Sequence, residues 1–494
     1  MALIPLKLPP GVHRNGTDFE SSNRWRDASL VRWHDGTLRP VGGWVTRKAS
    51  AFAYAPRAML SYLDNNSDEH LVAGTYEKLY YVNPSQTVYD ITPTSGFTSG
   101  TLSGAINTGY GGGFYGRTNW GNAPQSSGIY SEATTWSLDT WGEYLLAVSS
   151  TDGKLLEWQG NTGVKAQTVS NAPTSNNAMV VSEERFVFCL GAGGNPRKVA
   201  WSDQENNTVW TASATNQAGD FELQTTGQIM CGLRMRGRTL ILTDNDAHIA
   251  TYSGAPFVYG FERVGTACGV ASRKGAVAID EGAFWMGKKG FFSFDGSVAS
   301  QISCEVADYV FDDMNQAQKS KVYAIHNSQY GEIWWFYPSA NSNENDRYVT
   351  LDYKEGHWAI GNISRTAGVD QGIFTSPIWG DASGNLYNQE TGYTHTGSSK
   401  PFAESGAISI GNGDSIMKVT QLIPDEGTQG QVQVTFKTRF HPNDTETSHG
   451  AVTLTNPTDV RFQGRQVRMK VQGVGNDNWR SGVMRIEVAP GGRR

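Results

Sequence analysis

The chain has 494 residues, of which 57 are glycine, 11% are aromatic and only 18% are charged, against about 25% charged residues in an average globular protein. This composition excludes a disordered chain and is typical of all-β proteins with many tight turns. No run of about 18 apolar residues occurs, so we expect no membrane-spanning segment.

The first 57 residues are basic and punctuated by proline. They carry nine Lys and Arg residues against four Asp and Glu, a net charge of +5, whereas 401–494 carries +2, which leaves −13 for 58–400 out of the total of −6. A basic segment of this length cannot build its own core, so we expect 1–57 to be an extended N-terminal arm. It would wrap the body or a neighbouring subunit, dock on an acidic partner or contact the phosphates of a nucleic acid. Its candidate docking residues alternate Arg with Trp, which favours stacking: Arg24, Trp25, Arg26, Arg32, Trp33 and Arg39.

The start of the chain and the cysteines bear on where the protein matures. The opening MALIPLKLPPGV lacks the apolar region of a secretory signal. The four cysteines form no CxxC pair, and scattered buried thiols are typical of a reducing cytosol. We therefore expect synthesis in a cytoplasm.

Seven pairs of short apolar runs, each pair joined by a turn, follow one another through 58–400. The pairs are 71–75 with 78–82, 144–150 with 154–160, 185–190 with 197–203, 239–243 with 248–254, 283–287 with 290–296, 332–338 with 347–353, and 376–381 with 385–392. After a longer first interval, the pairs recur every 41 to 54 residues, which is the period of β-propeller blades. We predict a propeller of about seven blades over 58–400, with a sandwich or two smaller β domains as the alternative.

The longer first interval contains an insertion, 93–135, that is rich in Gly, Ser, Thr and Asn. A loop of this length in a compact domain is usually functional or disordered. Its aromatic residues favour an ordered surface that packs on a partner: Phe97, Tyr110, Phe114, Tyr115, Trp120 and Tyr130.

Two further patterns complete the chain. Val306, Tyr309, Val310 and Met314 recur at helical spacing, which predicts a helix within 304–321. From 401 to 494 apolar and polar residues alternate, as in QVQVTFKTRF and VMRIEVAP, which predicts half-buried strands of an antiparallel β-sandwich.

Both ends of the chain resemble one family of virion proteins. GVHRNGTDFESSNRWRDASLVRWHDGTLRPVGGW (11–44) and RFQGRQVRMKVQGVGNDNWRSGVMRIEVAPGGRR (461–494) resemble the opening and closing segments of the tail hub or nozzle proteins of short-tailed bacteriophages, and KVAWSDQENNTVW (198–210) resembles one of their blades. The resemblance covers about 80 residues and carries over no catalytic residue.

The resemblance implies a structural virion protein of the phage tail. Six copies would form a ring below the portal and adaptor proteins, joined to tail fibre, spike or needle proteins, and viral DNA would pass through the ring without sequence specificity. An acidic body fits this role, because like charge prevents DNA from adhering to the wall.

Signals for catalysis and for cofactors are weak. The sequence has no GxSxG, HExxH, Walker or EF-hand pattern, and its nine histidines have no partner at metal-binding spacing. We therefore expect no enzyme activity, no metal and no cofactor. The alternatives are a receptor- or carbohydrate-binding tail protein and, with less support, a propeller glycosidase of the sialidase kind, which would need two carboxylates or a tyrosine nucleophile.

Overall fold

The N-terminal segment contributes strands to several sheets. The computed structural model describes residues 2–48, 52–106, 130–280, 282–397, 400–410, 415–427, 429–442 and 444–492. Within 2–48 the strands are β1 (Ala2–Leu6), β2 (Trp25–Ser29), β3 (Val31–His34), β4 (Thr37–Pro40) and β5 (Trp44–Lys48). β3 and β4 pair as a hairpin, whereas β1, β2 and β5 each pair with strands from the second half of the chain.

Antiparallel sheets of four strands begin at residue 58. The first three blades and the short ladder of the insertion are β6 (Ala58–Leu63), β7 (Glu69–Gly74), β8 (Leu79–Val82) and β9 (Val88–Asp90); β10 (Ala105–Ile106) with β11 (Tyr130–Ser131); β12 (Trp136–Trp141), β13 (Tyr144–Ser149), β14 (Leu155–Trp158) and β15 (Gln167–Thr168); and β16 (Ala178–Val181), β17 (Val187–Leu190), β18 (Lys198–Trp201) and β19 (Gly219–Glu222). A short 3-10 helix, Ala192–Gly194, connects β17 and β18.

The remaining blades follow in chain order. They are β20 (Ile229–Met235), β21 (Arg238–Thr243), β22 (Asp246–Gly254) and β23 (Val258–Thr266); β24 (Ala276–Ile279), β25 (Gly282–Met286), β26 (Phe291–Phe294) and β27 (Ala299–Ile302); β28 (Tyr323–Asn327), β29 (Glu332–Tyr337), β30 (Arg347–Asp352) and β31 (His357–Asn362); and β32 (Ala367–Val369), β33 (Ile378–Gly380) and β34 (Leu386–Gln389). The N-terminal strand β5 pairs with β34 and supplies the fourth strand of this last blade.

These sheets form a closed ring of seven blades, which confirms the predicted propeller. The first strands pack in sequence around the axis, β6 on β12, β12 on β16, β16 on β20, β20 on β24, β24 on β28, β28 on β32 and β32 on β6. The seven hairpins read from the sequence are the second and third strands of the blades. Their large side chains, such as Trp158 between blades one and two and Phe294 between blades four and five, are buried between neighbouring blades.

The C-terminal part forms two antiparallel sheets packed on each other. The strands are β35 (Phe402–Ser405), β36 (Ile408–Ser409), β37 (Ile416–Ile423), β38 (Val432–Arg439), β39 (Thr447–Thr453), β40 (Thr458–Gly464), β41 (Gln466–Gly473) and β42 (Met484–Gly492). One sheet has the order β1-β42-β37-β40, and the other has the path β2-β35-β41-β38-β39 with β36 paired to β41. Alternate side chains such as Val434 and Ile486 point into one apolar core, as expected for strands buried on one face.

The N-terminal segment is therefore shared between the propeller and the sandwich. β1 and β2 belong to the two sandwich sheets and β5 to blade seven, so residues 1–57 are not an arm separate from the body. The buried Trp25 and Trp33 lie in an apolar cluster that runs from blades five and six into the sandwich. Strand pairing decides this arrangement, because each of these short strands satisfies its backbone groups only on a sheet edge made elsewhere.

The predicted helix within 304–321 is divided into two short pieces. The α-helix α1 spans Ala307–Asp313, and a 3-10 helix spans Gln316–Lys321. Met314 pairs with Ser339 in an isolated bridge, and Asn315 N donates to Pro338 O at 3.0 Å. This pairing with the strand end of blade six interrupts the helix. No helix in the described ranges is long and apolar enough to cross a membrane.

Candidate functional site at the propeller axis

The first strands of the blades enter the ring from one end of its axis, and this end is bridged by hydrogen bonds. Gln318, from the 3-10 helix before blade six, donates from Nε2 to Gly104 O at 2.9 Å and accepts from Gly104 N at 3.0 Å. Ala133 N, just before blade two, donates to Ser320 Oγ at 3.1 Å. Since blades two and six are not neighbours in the ring, these bonds connect opposite sides of the axis.

Charged side chains reinforce the bridged end. Arg57 binds both carboxylate oxygens of Glu344 at 2.7 Å, and Lys321 Nζ donates to Glu344 Oε1 at 2.8 Å. Burial and the neighbouring Arg57 lower the pKa of Lys321 to about 8. Burial opposes ionisation of Glu344, but its hydrogen bonds with Arg57 hold its pKa below the ordinary value.

A second connection crosses the ring. Arg273, which precedes blade five, forms an ion pair with Glu132, which precedes blade two. Burial lowers the pKa of the next residue, Lys274, although the nearby Cys231 and Asp139 favour its charged form. Because the axis is bridged by side chains and insertion backbone, a nucleic-acid duplex cannot pass along the axis of one propeller.

The opposite end of the axis opens into a cavity of about 1070 Å³, which we call the vestibule. It is formed mainly by turns between the first and second strands of blades three to six, with the last turn of blade six. Its lining residues are Glu183, Arg234, Met235, Arg236, Ala278, Ile279, Asp280, His326, Ser328, Tyr353 and Lys354.

A histidine in the vestibule wall is held from both sides. His326 Nδ1 lies 3.2 Å from Asp370 Oδ2, and Nε2 lies 3.2 Å from the Tyr353 hydroxyl. Burial raises the pKa of Asp370, but hydrogen bonds from His326 and from backbone N–H groups outweigh this and lower it. The ionised Asp370 accepts a hydrogen bond from Nδ1–H of His326, and Nε2 of the same ring faces the Tyr353 hydroxyl.

Nothing in the sequence pattern identified this group. His326 lies in the first strand of blade six, Tyr353 directly follows the third strand of that blade, and Asp370 follows the first strand of blade seven. Their separations along the chain match no motif, and they meet because the turns of adjacent blades converge at one end of the ring. The only sequence signal is that a polar residue ends an apolar strand.

The predicted docking residues of the N-terminal segment make contacts within the chain. Arg32 is buried and binds Glu332 and Glu390, and the rings of Trp25 and Trp33 lie 6.0 Å apart in the buried cluster. These three side chains hold the segment on the body and are not accessible to a partner.

The other three predicted docking residues are more accessible. Arg24 pairs with Glu305, and Arg26 pairs with Asp18 at 3.2 Å between Nε and Oδ1. Arg39 donates from Nε to Thr37 Oγ1 at 2.9 Å. Their role in docking a partner stays a prediction.

Most aromatic residues of the insertion lie outside the described residues, namely Tyr110, Phe114, Tyr115 and Trp120. Phe97 is stacked on Trp136 of blade two, with ring centroids 5.8 Å apart, so it packs on the propeller itself. The backbone of Tyr130 pairs with Ile106 in the β10–β11 ladder. The insertion thus begins and ends beside the bridged end of the axis.

Histidine and carboxylate groups also meet beside the β3–β4 hairpin, although the sequence spacing predicts no metal site. His34, Asp35 and Glu355 form one group, and Asp352, Glu355 and His357 form another, with candidate ligand atoms within 4.8 Å of each other. Glu355 also accepts from Asp35 N at 3.0 Å. The contacts attach the hairpin to the last turn of blade six.

Comparisons with known proteins place the chain among propeller structures only. No family model and no curated protein matches the sequence. A selenomethionine-substituted virginiamycin B lyase from Staphylococcus aureus is similar in structure at 5% identity, covering 70% of this chain and 98% of its own, with a TM-score of 0.41. A streptogramin B lyase has 6% identity, coverage of 70% and 97%, and a TM-score of 0.41.

A further similar structure is the Pan2 WD40 domain of Neurospora crassa, with 10% identity, 72% of this chain and 95% of its own covered, and a TM-score of 0.39. Enzymes and WD40 domains thus occur among the similar structures. At these identities the likeness concerns the fold alone.

Proposed function

We propose that this protein is a structural virion protein, a subunit of the ring-shaped hub or nozzle of a short phage tail. The observation that carries the proposal is that the two segments resembling that family, 11–44 and 461–494, lie together in one structural unit. Leu38 and Ser481 exchange backbone hydrogen bonds of 3.0 Å in both directions. A resemblance carried by two distant segments is stronger when those segments form one surface.

Charge pairing also joins the N-terminal segment to the sandwich. Asp18 binds Arg439 at 2.7 Å between Oδ2 and Nη2 and pairs with Arg468. These hydrogen bonds outweigh the effect of burial and lower the pKa of Asp18. The unit made of the N-terminal segment and the sandwich is therefore a fixed attachment to the propeller and a suitable base for contacts with the portal and adaptor proteins.

The propeller would serve as a wall of the tail channel. Its bridged axis excludes passage of DNA through one subunit, so the conduit of a ring lies between subunits. The net charge of −13 over 58–400 fits a wall along which DNA slides without adhering. In this proposal six copies form the ring, heterologous contacts close it, and fibre, spike or needle proteins attach to it.

The proposed role is structural and not enzymatic. The convergent polar residues of the vestibule favour one second candidate, a tail protein that binds a receptor or a carbohydrate. Its location would be the virion tail in either case, after synthesis in the host cytoplasm.

Electron microscopy and native mass measurement of the purified protein test the main proposal. We expect a ring with sixfold symmetry and a central pore between subunits, and the same ring in particles of the parent phage. A protein that remains monomeric at all concentrations and is absent from particles would contradict the proposal.

A variant tests the contribution of the accessible arginines. Arg24→Gln together with Arg26→Gln removes two charges without placing an acid beside Glu305 or Asp18. We expect a folded subunit whose incorporation into particles is reduced, whereas Lys289→Gln, an exposed change in blade five, leaves incorporation unchanged. Normal incorporation of the double variant would remove these arginines from the docking surface.

A further inference from the structure

The vestibule is lined by two exposed cations from different blades. Arg236 lies in the turn between β20 and β21, and Lys354 lies in the turn between β30 and β31; both line the cavity and are exposed. Among the described residues neither makes an ion pair within 4.0 Å, whereas Arg234 lies 3.6 Å from Asp139. Two unpaired cations on different blades that face one cavity are suited to an anionic ligand.

The same cavity offers groups that recognise hydroxyls. Asp280 presents a carboxylate between the two cationic turns, and Glu183 lies on the blade three side, where it accepts from Gly237 N. Tyr353 presents an aromatic ring whose hydroxyl is oriented by His326.

The support behind Tyr353 is rigid. His326 is fixed by Asp370, which in turn accepts from Ser328 N at 3.2 Å and Gln371 N at 2.7 Å. The Tyr353 ring also packs against Phe284, with centroids 5.6 Å apart. A ring held on two sides loses little freedom when a ligand stacks on it, which lowers the cost of binding.

We infer that the vestibule is a binding site for a carboxylated sugar. Arg236 and Lys354 receive the carboxylate, the Tyr353 ring supports the sugar ring, and Asp280 and Glu183 accept from its hydroxyls. A cavity of about 1070 Å³ has room for more than one sugar unit. The inference goes beyond the proposed ring function and does not depend on it, since the site lies within one subunit.

Calorimetric titration with trigalacturonic acid and with the neutral trisaccharide galactotriose tests the inference. We expect the acidic sugar to bind about tenfold or more tightly than the neutral one, because only the acid engages both cations. Equal affinity for the two sugars, or no binding of either at millimolar concentration, would overturn it. Inorganic phosphate that competes as strongly as the trisaccharide would show a simple anion site instead.

Variants locate the binding. Arg236→Ala and Lys354→Ala are each expected to weaken trigalacturonic acid about tenfold, and Tyr353→Ala to weaken it more than Tyr353→Phe, which keeps the ring. Lys289→Ala removes an exposed cation from a turn at the other end of blade five and is expected to change nothing. If the vestibule variants bind like the parent, the site is elsewhere and the inference fails. Ring assembly by native mass is recorded for each variant, so that this failure is separable from failure of the proposed function.

Discussion

Arg32 and Glu332 form a bidentate ion pair in the interior, with Nε to Oε1 at 2.8 Å and Nη2 to Oε2 at 2.9 Å. Glu390 binds the same guanidinium, and the ring of Tyr330 lies 3.6 Å from it. Burial opposes the charge on Arg32, but Glu332 and Glu390 outweigh it and raise its pKa, while burial raises the pKa of Glu332. This group attaches the β3–β4 hairpin to blades six and seven.

Arg32→Met leaves Glu332 and Glu390 buried without their cation. We expect a loss of about 3–5 kcal/mol in the free energy of unfolding, the usual cost of breaking a buried ion pair from one side. Urea unfolding followed by tryptophan fluorescence measures it. Arg39→Met on the same hairpin is the control, with an expected loss below about 1 kcal/mol because its side chain is accessible; equal losses would show that the buried group is not the attachment.

Trp44→Ala tests the closure of the ring by the N-terminal strand. Trp44 is buried in the core between blades six, seven and one, and its ring packs edge-on to His395 at 5.2 Å. Truncation of a buried Trp costs about 3–5 kcal/mol, so we expect a clear decrease in thermal stability. Val45→Ala in the same strand, where the side chain is 53% exposed, should have little effect.

Lys321, at the bridged end of the axis, should make the free energy of unfolding depend on pH in the alkaline range. The pKa of Lys321 is about 8 in the folded chain against 10.5 when unfolded, so between these values the unfolded state binds more protons. The contribution of Lys321 to the free energy of unfolding therefore rises with pH across this window, with a slope of at most about 1.4 kcal/mol per pH unit. We expect Lys321→Met to remove that slope and Lys289→Met to keep it in urea titrations at several pH values. An unchanged slope in Lys321→Met would show that the group titrates normally.

Replacement of 107–129 by a short Gly-Ser turn tests whether this part of the insertion stabilises the fold or binds a partner. Ile106 and Tyr130 are paired across the β10–β11 ladder, so a short turn can join them, and Gly104 and Ala133 keep their bonds to Gln318 and Ser320. We expect an unchanged melting temperature together with reduced binding of tail partners in a particle assembly assay. A large decrease in melting temperature would mean that 107–129 is part of the core.

Part of the candidate site was foreseeable and part was not. The Arg and Trp residues of 24–39 stood out by composition. The pattern alone could not distinguish side chains that bind a partner from side chains that pack within the chain. Glu332 and Glu390, the partners that decide the position of Arg32, are about 300 and 358 residues away along the chain. The vestibule residues match no motif, and a polar residue at the end of an apolar strand is their only sequence signal.

The sequence by itself determined the local elements: alternating and apolar runs of β-forming residues, cut by Gly and Asn turns, fixed the second and third strands of each blade and the strands of the sandwich. It did so because strand formation and turn chemistry depend on neighbours a few residues apart. Only the tertiary structure decided that β5 closes blade seven, that the insertion's stems bridge one end of the axis, and that His326, Tyr353 and Asp370 meet at the other. Those features arise from the closure of the ring, which brings distant segments together through burial and backbone pairing that no short stretch of sequence encodes.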